Sequence, residues 1–142
     1  GGSVAVYSPF VEDAREVFRR GDIPVLGGTA PGHTTDAVAA GVAEHVDADL
    51  LVYATSVNGV FDADPRVDDG AAKFDRLSPA ELVETVSELE LAAGSNSPVD
   101  LLAAKLLQRS GLRAVVVDGA DPDRVAAAVD GDHGGTDIVP GS

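Results

Sequence analysis

The chain has 142 residues, enough for one domain that buries roughly 70% of its unfolded surface. Its 44% hydrophobic content supports a folded protein, and the absence of Cys excludes disulfide scaffolds, thiolate metal sites and Cys nucleophiles. A net charge of −14 argues against nucleic acid and anionic membrane as partners.

Gly1-Gly2-Ser3 opens the chain, and Val4 to Tyr7 is a short β-like run ended by Ser8-Pro9. Val11, Ala14, Val17 and Phe18 fall at helical spacing, and Arg19-Arg20-Gly21 supplies the stop. Ile23 to Leu26 reads as a strand entering a glycine-rich turn, Gly27 to His33. Val38, Val42 and Val46 then stack on an Ala-rich helix beginning near Thr34. Leu50 to Ala54 is an apolar run of strand length, of the kind buried on both faces. An Asp-, Gly- and Pro-rich loop follows from Thr55 to about Ala72. Ser78-Pro79-Ala80-Glu81 is a capping box opening a helix through Leu82, Val86 and Leu89. Gly94 to Pro98 is a polar turn, and Asp100 caps a helix carrying Leu102 and Leu106 up to Gly111. Ala114 to Val117 is a buried strand, Asp121-Pro122 starts a last helix, and residues 135–140 end the chain as an edge strand. Strands alternating with helices predict a parallel α/β sheet covered on both faces, with residues 1–142 as a single α/β domain.

The charges suggest a habitat. Counting gives 17 Asp against 7 Glu and 8 Arg against 2 Lys, spread along the whole chain. Such a surface repels itself in dilute buffer, whereas in molar salt the Debye length falls to about 3 Å. The pattern fits a salt-rich cytoplasm. No run approaches roughly eighteen apolar residues and no basic segment precedes an apolar one, so neither membrane span nor signal peptide is expected.

Open α/β sheets bind ligands beyond the carboxyl ends of their strands, and two unusual loops stand there. The first, Gly27 to Asp36, joins a glycine turn to a helix start, with Thr29, Thr34 and Thr35 adding hydroxyls. Its glycines and free N–H groups suit a phosphate, and equally suit a tight connection. No Gly-Lys-Ser/Thr follows, so it is not a Walker loop. Asp36 is favoured in a first helical turn by the dipole alone. His33, His45 and His133 have no ligand-like spacing, and no metal site is expected. In the second loop, Thr55 to Pro65, Phe61 is one of only six aromatics. It could lie against a purine ring with Thr55, Ser56 and Asp64 at the polar edge, or the loop could simply be solvated.

Together, Gly-Gly-Thr-Ala-Pro-Gly-His-Thr-Thr-Asp (27–36) and Ala-Thr-Ser-Val-Asn-Gly-Val-Phe-Asp-Ala-Asp-Pro (54–65) resemble the archaeal type of uridylate (UMP) kinase, in the amino-acid-kinase superfamily. Lys73 to Leu77, Ala93 to Ser95, Pro98 to Lys105 and Gly134 to Pro140 extend the resemblance, in order, across residues 7 to 140. It implies a three-layer α/β/α sandwich with a mainly parallel sheet, carbamate-kinase-like, of which this is the C-terminal part. It also implies a homohexamer and transfer of the γ-phosphoryl of Mg²⁺-ATP to UMP, giving UDP and ADP. By position, Thr29, Ala30, Pro31, Gly32, His33, Thr34 and Thr35 match the UMP segment. Thr55, Ser56, Phe61 and Asp64 match the ATP contacts, and Asp36 matches the acid that organises groups around the transferred phosphate. Phe61 stands where many members have Tyr. Family members begin with a Gly-Gly-Ser strand turn and a Gly-rich, Arg-bearing segment. Only Gly1-Gly2-Ser3-Val4 echoes that portion, so weak ATP binding and reduced kinase activity are expected of this chain alone. A non-catalytic nucleotide-binding or storage module of the same superfamily is the alternative.

Overall fold

The computed structural model describes residues 5–7, 16, 19–21, 23–25, 35–91 and 98–140. Strands β1 (Ala5–Tyr7) and β2 (Ile23–Val25) pair in parallel. Most of the helix expected between them lies outside the described residues. Its stop does not: Arg20 N–H donates to Glu16 C=O at 3.2 Å, and Gly21 takes φ 81°.

Helix α1 (Thr35–His45) leads to β3 (Leu51–Thr55). Then come β4 (Arg76–Leu77), α2 (Pro79–Leu91), α3 (Leu101–Ser110), β5 (Ala114–Asp118), α4 (Pro122–Asp130) and β6 (Thr136–Ile138). The second sheet has the order β3-β5-β6-β4, with β3 parallel to β5 and β4 parallel to β6. The β5–β6 pair is antiparallel. The last strand is therefore interior and not an edge. The bend at Gly134 (φ 70°) turns the chain back along β5, and β4, a strand too short to read from sequence, covers the far side.

Local chemistry sets the helix ends. Glu81 N–H donates to Ser78 Oγ at 3.1 Å while Ser78 N–H donates to Glu81 Oε1 at 3.0 Å, the reciprocal capping box opening α2. The Asp100 carboxylate accepts from Ala103 N–H at 2.8 Å, and α3 stops at Gly111 in the left-handed conformation. Asp121 caps α4 through Asp123 N–H at 3.0 Å.

Strand β5 is buried along Ala114 to Val117 and divides the core by its pleat. Ala114 and Val116 join the larger cluster with Tyr53, Leu82, Val86, Leu107 and Ile138; Val115 and Val117 meet Ala128 of α4 on the other face. Helices thus cover both faces of the sheet, giving an α/β/α arrangement. Strand β3 is less buried than its composition suggests: Tyr53 is buried but Ala54 is exposed, beyond the cover of α4. Alanines define the buried side of α1 (Ala37, Ala40, Ala43, with Val38), and α3 buries Ala103, Ala104 and Leu107 while Leu102 is exposed. Packing α3 against both α1 and α2 places its small residues at the closest approach, which turns the leucine spacing read from sequence to one side.

Candidate functional site

The parallel strands β3 and β5 end together at Thr55 and Asp118, and the chain leaves β3 into the Asp-rich loop. The Thr55 hydroxyl donates to Val57 C=O at 2.7 Å and accepts from Val57 N–H at 3.2 Å. This local turn, of the kind Thr hydroxyls favour, aims the next residues away from the sheet. An antiparallel bridge between Phe61 and Lys73 closes the excursion at its base. Phe74 N–H donates to Val60 C=O at 2.9 Å, and Asp62 N–H to Ala72 C=O at 3.0 Å.

Ser56, Phe61 and Asp64 line one cavity of about 170 Å³, together with Val57, Gly59, Ala63, Pro65, Arg66, Leu89 and Pro98. Thr55 does not line it, its hydroxyl being spent in the turn. The aromatic ring and two polar side chains picked out from sequence thus line the same cavity. Leu89 of α2 and Pro98 add apolar lining. A space this size suits a ring better than a whole nucleotide, since drug-sized ligands occupy roughly 300–1,000 Å³.

Asp64 is the most constrained of these side chains, 6% exposed. Its Oδ1 accepts from Arg66 N–H at 2.9 Å and from Arg66 Nε at 3.2 Å. The backbone bond first, and then the guanidinium, hold its carboxyl below the ordinary value. The sequence assigns neither Arg66 nor Pro98 to the site, although Pro98 falls in a turn and in a motif of the resemblance. Asp64-Pro65-Arg66 carried the available signal, because an Asp two residues before a donor favours such a side-chain turn.

Asp36 stands in the first turn of α1, half-buried, with Thr35 exposed beside it. The Tyr53 hydroxyl donates to Asp36 C=O at 2.7 Å, which ties this turn to the carboxyl-end half of β3. Burial and the charges of Asp36 and Asp100 hold the Tyr53 phenol above its ordinary value, so it remains a donor. The Asp36 carboxylate accepts a backbone hydrogen bond from Asp100. Burial, and then the Asp100 charge, nevertheless push its carboxyl above the ordinary value. Pro98-Val99-Asp100 therefore links the two regions, with Pro98 on the cavity and Asp100 on Asp36. From sequence Asp100 was only a helix cap. Thr29, Ala30, Pro31, Gly32, His33 and Thr34 lie outside the described residues.

Among the described residues no group of three or more His, Cys, Asp or Glu could hold a metal ion. No described helix is long and apolar enough to cross a membrane. Lys105 is exposed on α3. His133 is buried, its Nδ1 accepting from Gly135 N–H at 2.9 Å and its Nε2 lying 3.0 Å from Asp137 Oδ1.

Comparison with known proteins gives a consistent result. The profile of the amino acid kinase family matches residues 2–118. A uridylate kinase of Natronomonas pharaonis is 63% identical over 91% of this chain and 57% of its own length. A uridylate kinase of Haloquadratum walsbyi is 61% identical over 91% of this chain and 54% of its own. The chain thus spans little more than half the length of the curated relatives it matches. The crystal structure of uridylate kinase from Archaeoglobus fulgidus superposes with a TM-score of 0.84 at 44% identity, over 95% of this chain and 61% of that one. The acidic, Asp-rich composition fits the haloarchaeal origin of the first two.

Proposed function

The chain belongs to the amino acid kinase family, and from that premise we propose that it acts as a UMP kinase, transferring the γ-phosphoryl of Mg-ATP to UMP. The observation that carries this reading is the cavity beyond β3. It gathers Ser56, Phe61 and Asp64 in a chain 63% identical over 129 residues to a uridylate kinase. In this reading the adenine ring enters the cavity against Phe61, Ser56 and Asp64 bond its nucleoside, and the triphosphate extends outside. The segment Thr29 to Thr35 holds UMP, and Asp36 organises the groups around the transferred phosphate.

An oxygen of the UMP phosphate attacks the γ-phosphorus while the bond to the β,γ-bridging oxygen breaks, giving UDP and ADP. The acceptor is already anionic, so no general base is needed and catalysis consists of positioning and charge neutralisation. Mg²⁺, bound to ATP, would offset the charge of its phosphates. We read residues 1–142 as one α/β domain that works in the cytoplasm, where both nucleotides occur, within a homohexamer.

A coupled assay of ADP release tests this, with UMP, CMP and AMP offered as acceptors in molar KCl. UMP-dependent release well above that with CMP or AMP is expected. Release that is indifferent to UMP would sink the reading.

A further inference from the structure

The cavity loop is gripped by a stretch of chain more than sixty residues away. The Asn58 side chain donates to Gly134 C=O at 2.9 Å, and its Oδ1 accepts from Asp118 N–H at 3.1 Å. Lys73 Nζ also donates to Gly134 C=O. Deeper in, the Thr136 hydroxyl accepts from Val60 N–H at 2.9 Å and donates to Phe74 C=O. Both chain segments at the base of the excursion thus meet on one hydroxyl. Thr136 and Val60 are fully buried, and Thr136 is not among the cavity-lining residues.

Two glycines make this approach possible. A Cβ on Gly135 would lie 2.1 Å from Val116 C=O, so only glycine lets the segment press against β5. Gly59 has φ 127°, and a Cβ there would lie 2.6 Å from Thr136 Oγ1. The residue after Val60 is Phe61, the aromatic of the cavity. Burying Val60 N–H without a partner is costly, so losing this hydroxyl penalises the present placement of the loop.

We propose that Thr136, with Asn58 and Gly134, is the positioning element of the cavity loop: it sets where Phe61 and Asp64 stand and so governs affinity for a nucleoside triphosphate that it does not touch. The inference rests on the reading of that cavity as the ATP site. It assigns work to the closing Gly-Gly-Thr segment, for which the reaction itself gives no role.

The test compares Thr136→Val, which keeps the shape and deletes the hydroxyl, with Thr136→Ser, which keeps the hydroxyl. Calorimetry in molar KCl measures affinity for Mg-ATP and for UMP, and amide hydrogen exchange follows Val60 and Phe61. Thr136→Val, which loses both bonds of the hydroxyl, should bind ATP about tenfold more weakly. UMP affinity should hold, Val60 and Phe61 should exchange faster than the helix amides, and Thr136→Ser should restore all three. Unchanged ATP affinity, or equal losses for both nucleotides, would overturn the proposal. Should Thr136→Val fail to fold, Asn58→Ala cuts the outer bonds of the same clamp. It should give the same ATP-selective loss, and unchanged ATP affinity there overturns the proposal as well. If the unsubstituted chain binds neither nucleotide, the kinase reading fails, and exchange at Val60 and Phe61 alone decides the clamp: faster exchange in the variants upholds it, unchanged exchange refutes it.

Discussion

Asp100 serves two structures at once, and separating them gives a sharp prediction. Its carboxylate caps α3 through Ala103 N–H at 2.8 Å, while its backbone bonds Asp36 and its charge repels the Asp36 carboxylate. Asn ranks with Asp as a cap, so Asp100→Asn keeps the cap and removes the repulsion. Asp100→Ala removes both, and losing a cap costs about 1 kcal/mol. For a chain of this size that shifts the melting temperature by roughly 3–4 °C. The Ala variant should therefore melt about 3 °C below the Asn variant at pH 7. The Asn variant should melt above the unsubstituted protein, and its pH dependence identifies the cause. Asp36 has a folded pKa above its unfolded value near 3.8, so the folded state holds more protons. Stability is therefore lost as pH rises from about 3.8 through the folded value. Removing the Asp100 charge shrinks that loss, so the advantage of Asp100→Asn should fade as pH approaches 3.8. It should also vanish on an Asp36→Asn background, because the two charges act as a pair. Thermal melts at fixed KCl across this pH range provide the assay. An Asn variant that melts no higher than the parent at pH 7, or no higher than the Ala variant, would refute the reasoning.

The surplus of acid predicts a melting temperature that rises from dilute buffer to molar KCl; equal values would remove the salt-adapted reading. Phe61→Ala should weaken ATP binding by on the order of 1–3 kcal/mol with UMP affinity unchanged, measured by calorimetry. Asp64 has a folded pKa below its unfolded value near 3.8, so its contribution is present above that pH and lost as pH falls through the folded value. Arg66→Gln keeps the backbone bond and deletes the guanidinium, so the acid limb of stability should become shallower without disappearing. Acid limbs that coincide in melts from about pH 5 down to about pH 2 would count against that bond.

Much of the fold was legible because its signals are local. The Ser78–Glu81 capping box, the Asp100 and Asp121 caps and the glycine stops at 21 and 111 act within a few residues. The end of α1 was harder to read, because Asp47 (φ 56°) takes the left-handed position usually given to glycine. Strand β4 and the interior place of β6 depend on pairing between residues 76–77 and 137–138, which no local pattern encodes. The site divides in the same way. Phe61 stands out as a rare aromatic in a loop, with Ser56 and Asp64 as polar neighbours in the same loop, and the resemblance points to the same residues. Thr55 shares its neighbours' motif, yet its hydroxyl closes a turn, a choice settled by backbone geometry. Arg66, Pro98 and the Asp100 contact with Asp36 emerge only when the loops fold together.

Two carboxylates at this end of the sheet are driven in opposite directions, Asp64 down by Arg66 and Asp36 up by burial and Asp100. In many enzymes such a split separates a base from an acid. In the proposed reaction, however, the phosphate acceptor already carries its charge and leaves a base nothing to remove. Burial beside Asp100 accounts for the raised Asp36 value without any part in proton transfer. In the proposed function, the shift is the electrostatic cost of holding an acid where it can order other groups. Positive charge brought near Asp36 by a ligand would offset that cost, because it favours the ionised form that Asp100 disfavours. Binding of such a ligand releases the proton that Asp36 retains, and so tightens as pH rises through the raised value.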